Sequence, residues 1–348
     1  ATIDILGASL EGIIEGDTVT LGGSTTGAFD NRNVGTGKTV HVSTTGLTLG
    51  GADADNYSIA TVDDATADIT ARPLTVTAVN NSKAYDGTTS STGVPTITGG
   101  TLATGDSTGT WSQTFDTKHV GSGKTLTPSG AVDDGNSGNN YSVTLASVTT
   151  GTITNRAITV TAAADSKAYD GTTASSGVPA LSAGSLATGD SVTWTQTFDT
   201  KHIASGKTMT PAGTVSDGNS GNNYLVTYAT VDTGVITKQA LTVTAATDTK
   251  DYDGTTASSA IPIITSGALG SGDTAAWSQT FDTPDIGTGK TLTPTGSVTD
   301  GNNGNNYTIT FVPVHTGRIN THEVTVTLNL KTGWNLVSAP VLIGDNLV

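Results

Sequence analysis

The sequence has no cysteine, a single methionine and, among its acidic residues, almost no glutamate. The absence of cysteine excludes disulfide bonds. The 30 acidic residues include only Glu11, Glu15 and Glu323, so nearly all are aspartates, which favour turns over helices. No stretch combines a capping box with a 3.6-residue apolar period, whereas alternating runs such as SVTWTQTFDT, residues 191–200, are typical of strands. The composition therefore predicts an all-β protein.

Charged residues are also scarce, at 13%, and their imbalance leaves a formal net charge of −15. So negative a chain is unlike proteins that bind nucleic acid or anionic membranes. No apolar run is long enough to span a bilayer, so we expect no membrane insertion. The charge favours solubility and leaves cation binding open.

Internal repetition is the strongest feature of the sequence. Tyr57, Tyr141, Tyr224 and Tyr307 are spaced by 84, 83 and 83 residues, and an FD dipeptide recurs with nearly the same period. Such a period indicates tandem modules. The predicted boundaries are a first repeat at 1–72, a second at 73–156, a third at 157–239, a fourth at 240–322 and a C-terminal tail at 323–348.

Each complete repeat has room for about seven short strands separated by turns. This number of strands in so short a module predicts a small β-sandwich of immunoglobulin-like size, with a compact β-grasp-like sheet as the alternative. The linkers, such as TNRA and TKQA, are only a few residues long. We therefore expect the four modules to form a rod.

The pattern LTVTA, KAYDGTT, FDTKHVGSGKTLT, GNNYSV, GTIT resembles the YDG-type repeat of large secreted bacterial adhesins and haemagglutinin-like surface proteins. The resemblance covers roughly residues 1–321. It implies an extracellular or cell-surface location and a structural role, and it implies no catalysis. We accordingly expect the protein not to be an enzyme.

Acidic loops in the three complete repeats are the candidate cofactor site. They read DDGNSGNN, DGNSGNN and DGNNGNN, and such oxygen-rich loops suit Ca²⁺. The competing interpretation is a set of tight turns, which Asp, Asn and Gly favour without any metal. The candidate metal ligands are Asp133, Asp134, Asn136, Asp217, Asn219, Asp300 and Asn302.

Two lysine motifs invite chemical interpretations that the sequence does not support. VGSGKT resembles a phosphate-binding loop, but Lys118 occupies the required upstream glycine position and a strand follows, so we expect a hairpin turn. Lys83, Tyr85 and Asp86 recur in all complete repeats. A covalent Lys–Asn link is one interpretation, but a packed tyrosine beside an Asp-capped turn is the one we favour.

The first repeat lacks a defined piece. Alignment on the Gly-Asp pair places Ala1 opposite Ser90, so the first repeat begins after the segment that matches 74–89. The tail begins with VTVTL, which matches the LTVTA that opens each complete repeat. The tail residues expected to insert into a neighbouring molecule are Val324, Val326, Leu328, Leu330, Trp334 and Leu336.

The leading hypothesis is therefore a subunit of an extracellular filament. Copies of the chain would join head to tail as each C-terminal strand completes the first repeat of the next subunit. The first alternative is a monomeric stalk segment of a surface adhesin. The second is a Ca²⁺- or glycan-binding surface module, which would contact a host or cell-surface glycan.

Overall fold

The computed structural model describes residues 2–327. These residues form strands and turns with a single short 3₁₀ helix at Ala54–Asn56 and no α-helix. None of the described residues belongs to a helix that is long and apolar enough to cross a membrane. The all-β expectation is therefore confirmed.

The first repeat contains six short strands. They are β1 Thr2–Ile3, β2 Thr20–Gly23, β3 Thr25–Phe29, β4 Gly35–Val42, β5 Leu47–Gly50 and β6 Ala65–Ile69.

Each of the other repeats contains seven strands, the number that the sequence predicts. Those of the second are β7 Arg72–Thr77, β8 Ser82–Ala84, β9 Thr96–Gly99, β10 Ser112–Phe115, β11 Gly121–Ser129, β12 Tyr141–Ala146 and β13 Val148–Thr154. Those of the third are β14 Arg156–Thr161, β15 Ser166–Ala168, β16 Ala180–Ala183, β17 Ser191–Phe198, β18 Ala204–Ser216, β19 Tyr224–Ala229 and β20 Val231–Thr237. Those of the fourth are β21 Gln239–Thr244, β22 Thr249–Asp251, β23 Ile263–Ser266, β24 Thr274–Phe281, β25 Gly287–Thr299, β26 Tyr307–Val312 and β27 Val314–Asn320.

A complete repeat consists of a three-stranded and a four-stranded sheet. In the second repeat the orders are β12-β7-β9 and β10-β11-β13-β8, and the third and fourth repeats have the same arrangement. The first strand, β7, lies at the centre of the small sheet. It runs parallel to β12, with Leu74 opposite Val143, and antiparallel to β9. The small sheet therefore holds together through the first strand.

The first strand also supplies the core of the small sheet. Its alternation of threonine with larger apolar residues turns one face inward. Leu74 and Val76 are 2% and 0% exposed and pack with Trp111 and Tyr141. A fully buried glutamine links the two sheets, because Gln113 on β10 both accepts from and donates to the backbone of Val79, just beyond β7.

The described chain forms two compact units whose limits differ from those of the repeats. The first unit runs to Val160 and includes Leu181–Trp194 and Gly213–Thr227, and the second holds Thr161–Ala180, Thr195–Ala212 and the chain from Tyr228 onward. The strands of the third repeat are divided between them. The four tandem all-β modules are confirmed, and the end-to-end rod stays a prediction.

Removing a side chain from the first strand tests its central role. We expect Leu241→Ala on β21 to lower the free energy of unfolding by about 2–5 kcal/mol, because Leu241 is 1% exposed. Ile263→Ala, on the neighbouring β23 and 59% exposed, should change it by less than about 0.5 kcal/mol. Chemical denaturation of both variants gives the comparison. Equal losses would contradict the central placement of the first strand.

Candidate functional site

The first repeat has an open groove where the complete repeats hold their first strand. Residues 7–10 align with β9 and residues 57–62 with β12, the two strands that flank β7, and the structure places neither segment in a strand. A cavity of about 560 Å³ lies between these segments, and Leu21, Leu47 and Leu49 form part of its lining. The groove thus has the position and the apolar lining of a site for one β-strand.

Burial confirms that this repeat lacks a formed core. Within residues 2–72 Val40 is the one buried apolar side chain, whereas the second repeat has ten. Leu6 and Ile14, next to the groove, are 91% and 68% exposed. Large exposed apolar residues beside an unfilled groove are typical of a surface that binds another segment.

The opening of the tail aligns with the strand that the groove lacks. Val324 and Val326 match Leu74 and Val76, as well as the corresponding pairs on β14 and β21. The two tail valines are 77% and 75% exposed, while every one of their counterparts is buried. The tail therefore presents the inward-facing pattern of a first strand to solvent. The other predicted insertion residues, Leu328, Leu330, Trp334 and Leu336, lie outside the described residues.

Successive repeats meet at a cluster of two tyrosines and an aspartate. Where the second repeat meets the third, the Tyr224 hydroxyl donates to Asp190 Oδ2 at 2.6 Å and the Tyr85 hydroxyl donates to Asp190 Oδ1 at 3.4 Å. The two rings meet edge to face with centroids 5.5 Å apart. Burial, together with the Asp190 carboxylate, raises the pKa of Tyr85 and of Tyr224 to about 12.

The junction between the third and fourth repeats has the same arrangement. Tyr307 donates to Asp273 Oδ2 at 2.5 Å and Tyr169 donates to Asp273 Oδ1 at 3.3 Å. Lys201 adds a cation, with its Nζ 3.6 Å from the same Oδ1. Burial raises the pKa of Tyr307 and Tyr169, and Asp273 adds to the effect. At both junctions, Oδ2 of the aspartate accepts from a tyrosine of the same repeat, and Oδ1 accepts from a tyrosine of the preceding repeat.

The first junction replaces the missing tyrosine with an arginine. Arg32 lies 2.5 Å from Asp106 Oδ1 and donates to the backbone oxygen of Asp134 at 3.0 Å. Arg32 and the three junction aspartates, Asp106, Asp190 and Asp273, are not among the candidate residues predicted from the sequence. The signal was present in the recurring Gly-Asp pair and in a cation or proline that recurs three residues after each FD phenylalanine.

An asparagine accepts a second bond at every junction. Asn140, Asn223 and Asn306 precede the junction tyrosines, and their side-chain oxygens accept the backbone N–H of a residue in the preceding repeat. The donors are Val34 at 2.9 Å, Val120 at 3.0 Å and Ile203 at 3.2 Å. The acidic loop of each repeat therefore also positions a junction residue.

The acidic loops are organised by their own backbone. Asp217 is 3% exposed and accepts the N–H groups of Asn219, Gly221 and Asn223 at 2.7–2.9 Å. Burial alone would raise the pKa of the Asp217 carboxyl. The backbone hydrogen bonds outweigh it and hold the pKa below its usual range. Asp134 and Asp300 make the corresponding bonds.

Metal binding by these loops stays a prediction. Among residues 2–327 no group of three or more His, Cys, Asp or Glu side chains is arranged to hold a metal ion. Asp133 is exposed, and Asn136 and Asn302 donate their side-chain amides to Asn140 and Asn306. The geometry accounts for the loops as turns without a cation.

Both lysine motifs form local contacts. Lys124 and Lys207, in the Gly-Lys segments, donate to Thr117 and Thr200 at 2.6 Å within the same hairpin. Lys83 donates to Asp86 at 2.8 Å and to the Thr88 carbonyl at 2.9 Å, as its copies do in the later repeats. This is the Asp-capped turn that the sequence favours, and the adjacent Tyr85 and Tyr169 are packed at their junctions.

Asp217 provides a test that separates turn formation from metal binding. We expect Asp217→Ala to lower the melting temperature equally in EDTA and in CaCl₂, because three backbone N–H groups, that of buried Asn223 among them, lose their acceptor. Asp133→Ala, at an exposed neighbouring position, is the control and should have little effect. A wild-type melting temperature that falls in EDTA, with a smaller fall for Asp217→Ala, would favour the cation.

The tyrosine pair at the second junction predicts a pH dependence. The pKa of Tyr85 rises from 10.0 in the unfolded chain to about 12 in the fold, so its contribution to stability is complete below pH 10 and is lost as pH rises towards 12. We expect the stability difference between wild type and Tyr85→Phe to shrink over that interval. Melting temperatures from pH 8 to 12 measure it, and a constant difference would contradict the assignment.

Comparison with family models gives one match, repeated four times. The model of the YDG domain matches residues 1–67, 70–150, 154–231 and 237–315. No curated protein matches the chain. The matches cover most of the sequence and follow its four repeats, so the chain belongs to the YDG domain family.

Proposed function

We propose that this chain is a structural subunit of an extracellular filament, in which the C-terminal strand of one copy completes the first repeat of the next. The observation that carries the proposal is that two parts of the chain complement each other. The first repeat has a groove where a first strand belongs, and Val324 and Val326 hold a first-strand pattern exposed to solvent.

The energetics favour such an exchange. Burying Val324 and Val326 contributes about 1.5–3 kcal/mol each relative to exposure. Backbone hydrogen bonds to residues 7–10 on one side and 57–62 on the other would add to this, because neither segment belongs to a strand in the described chain. Parallel pairing with 57–62, as β7 pairs with β12, sets the direction of the incoming strand.

A contact of this kind produces an open assembly. The donor and the acceptor are different segments of the chain, so each added copy leaves a new donor and a new acceptor. The partners in this proposal are other copies of the chain. The chain has no catalytic role in it, and Ca²⁺ in the acidic loops is not required.

The extracellular setting rests on composition and on the family resemblance. A chain without cysteine and with a net charge of −15 suits an exposed surface structure, and the YDG-type repeat resembles modules of secreted adhesins. A stalk segment within a larger adhesin is the second candidate. In that case residues of a longer chain would fill the groove and continue from the tail.

Variants of the full chain test the exchange. We expect Val326→Asp to abolish filaments in negative-stain images, because it would place an unpaired charge in the groove. Glu323→Lys is the control. It changes the charge by more, but Glu323 aligns with Pro73, Ala157 and Ala240, which are exposed on their strands, so filaments should persist.

A peptide competition separates the filament from the stalk. A peptide of residues 321–348 should bind a chain lacking those residues, and should fail to bind that chain once a copy of residues 74–89 precedes Ala1. Equal binding to both versions, or filaments that form without residues 321–348, would contradict strand exchange and leave the stalk.

A further inference from the structure

The fourth repeat carries an uncovered copy of the surface that joins the other repeats. Tyr85 and Tyr169 are 0% and 1% exposed because the next repeat covers them, whereas Tyr252, at the same position, is 42% exposed. Within residues 2–327 the hydroxyl of Tyr252 has no hydrogen-bond partner. A tyrosine whose hydroxyl is bonded in two repeats therefore has no such bond in the fourth repeat among the described residues.

Other positions around Tyr252 are also uncovered in the fourth repeat, whereas their counterparts in the second and third repeats are covered. A Cβ on Gly87 would lie 3.2 Å from Ala187 Cβ, and one on Gly171 would lie 2.4 Å from the Ser271 nitrogen. Gly254 has nothing within 4 Å among the described residues. Ile286, the counterpart of Val120 and Ile203, is 53% exposed. This junction surface consists of Tyr252, Gly254, Asp285 and Ile286.

The first repeat has the surface that complements this junction surface of the fourth repeat. Tyr57 donates to Asp17 Oδ2 at 2.7 Å and accepts the Ile14 N–H at 3.0 Å, as Tyr224 does with Asp190 and Ala187. In the described chain Asp17 Oδ1, the oxygen that elsewhere receives the preceding repeat, has no partner.

Asn56 completes this receiving end. It is exposed, although its counterparts Asn223 and Asn306 are both 0% exposed and bonded to the preceding repeat. The first repeat therefore offers the acceptors that a junction uses, and none of its described neighbours occupies them.

We propose that the Tyr252 surface of one copy receives the Asp17–Tyr57 end of the first repeat of a second copy, with Tyr252 donating to Asp17 and the Ile286 N–H donating to Asn56. The inference rests on the proposed filament and specifies its second interface. Two copies then meet as consecutive repeats do within one chain, beside the exchanged strand.

The junction between copies differs from the internal ones in its charges. Pro284 stands where Arg32 and Lys201 bind the junction aspartate, so this junction has no cation there. Asp285 replaces His202, whose ring nitrogen lies 3.1 Å from the side-chain nitrogen of Asn306. A carboxylate can accept from the Asn56 amide in the same way. Tyr252 is consequently the main donor to Asp17.

Cysteine pairs in the full chain test the interface, since the protein has no cysteine of its own. Gly254→Cys with Ile14→Cys places one thiol on each side of the proposed junction. Their counterparts Gly87 and Ala187 would bring Cβ atoms 3.2 Å apart, close to the disulfide range of about 3.5–4.5 Å. We expect mild oxidation to give a ladder of multimers on a non-reducing gel.

Matched variants provide the controls. Gly87→Cys with Ala187→Cys should form a disulfide within one chain, and Gly87 has φ +82° against +74° for Gly254, so both pairs carry similar backbone strain. Either cysteine alone should give dimers at most. Adding Tyr252→Phe to the Gly254–Ile14 pair should slow the ladder about fivefold, as expected for one lost hydrogen bond.

The outcomes distinguish this interface from strand exchange. No ladder, under conditions where the internal pair closes, overturns the interface even if wild-type filaments form. A ladder that persists with Val326→Asp supports the interface while the strand exchange fails. A ladder whose rate is unchanged by Tyr252→Phe overturns the role given to Tyr252.

Discussion

The fold of each complete repeat depends on the parallel pairing between its first strand and a strand close to its end. Leu74 lies opposite Val143, and Leu241 opposite Ile309, so the two ends of a repeat meet in the middle of the small sheet. Parallel neighbours cannot be joined by a short hairpin, so this pairing brings together segments that are separated by all the other strands of the repeat but one. A repeat without its first strand loses the centre of one sheet and most of the core beneath it.

Consecutive repeats are coupled because their cores are continuous. One cluster joins Phe115 and Leu126 of the second repeat to Tyr224 of the third through Tyr85. A second cluster joins Phe198 of the third repeat to Tyr307 of the fourth through Tyr169. Each of these two clusters therefore combines half of one repeat with half of the next. This explains why the compact units do not follow the sequence repeats, and why incomplete halves lie at the first repeat and at the Tyr252 surface.

Much of this architecture could be predicted from the sequence, and the remainder depends on contacts that are distant along the chain. Alternation and turn residues are local, so the strand number, the hairpin of β24 and β25 and the capped turn at Lys83 all follow from short segments. The central place of the first strand could not be predicted, since the LTVTA pattern does not specify its partner.

The junction role of Asp190 could not be predicted for a related reason. A Gly-Asp pair by itself predicts a turn. Only the fold shows that tyrosines from two repeats donate to the two carboxylate oxygens of this aspartate. The loop aspartates are compatible with a cation site as well as with a turn, because the sequence does not show that a carboxylate such as Asp217 faces its own backbone.

Hydrogen exchange at residues 57–62 tests most directly whether the first repeat is completed by another copy. Backbone amides in β12, β19 and β26, the corresponding strands, pair with a first strand and serve as internal references. We predict that residues 57–62 are protected in the full chain at high concentration and exchange freely once residues 321–348 are removed, while the three reference strands stay protected in both. Free exchange at residues 57–62 in the concentrated full chain, or protection that survives removal of residues 321–348, would contradict it.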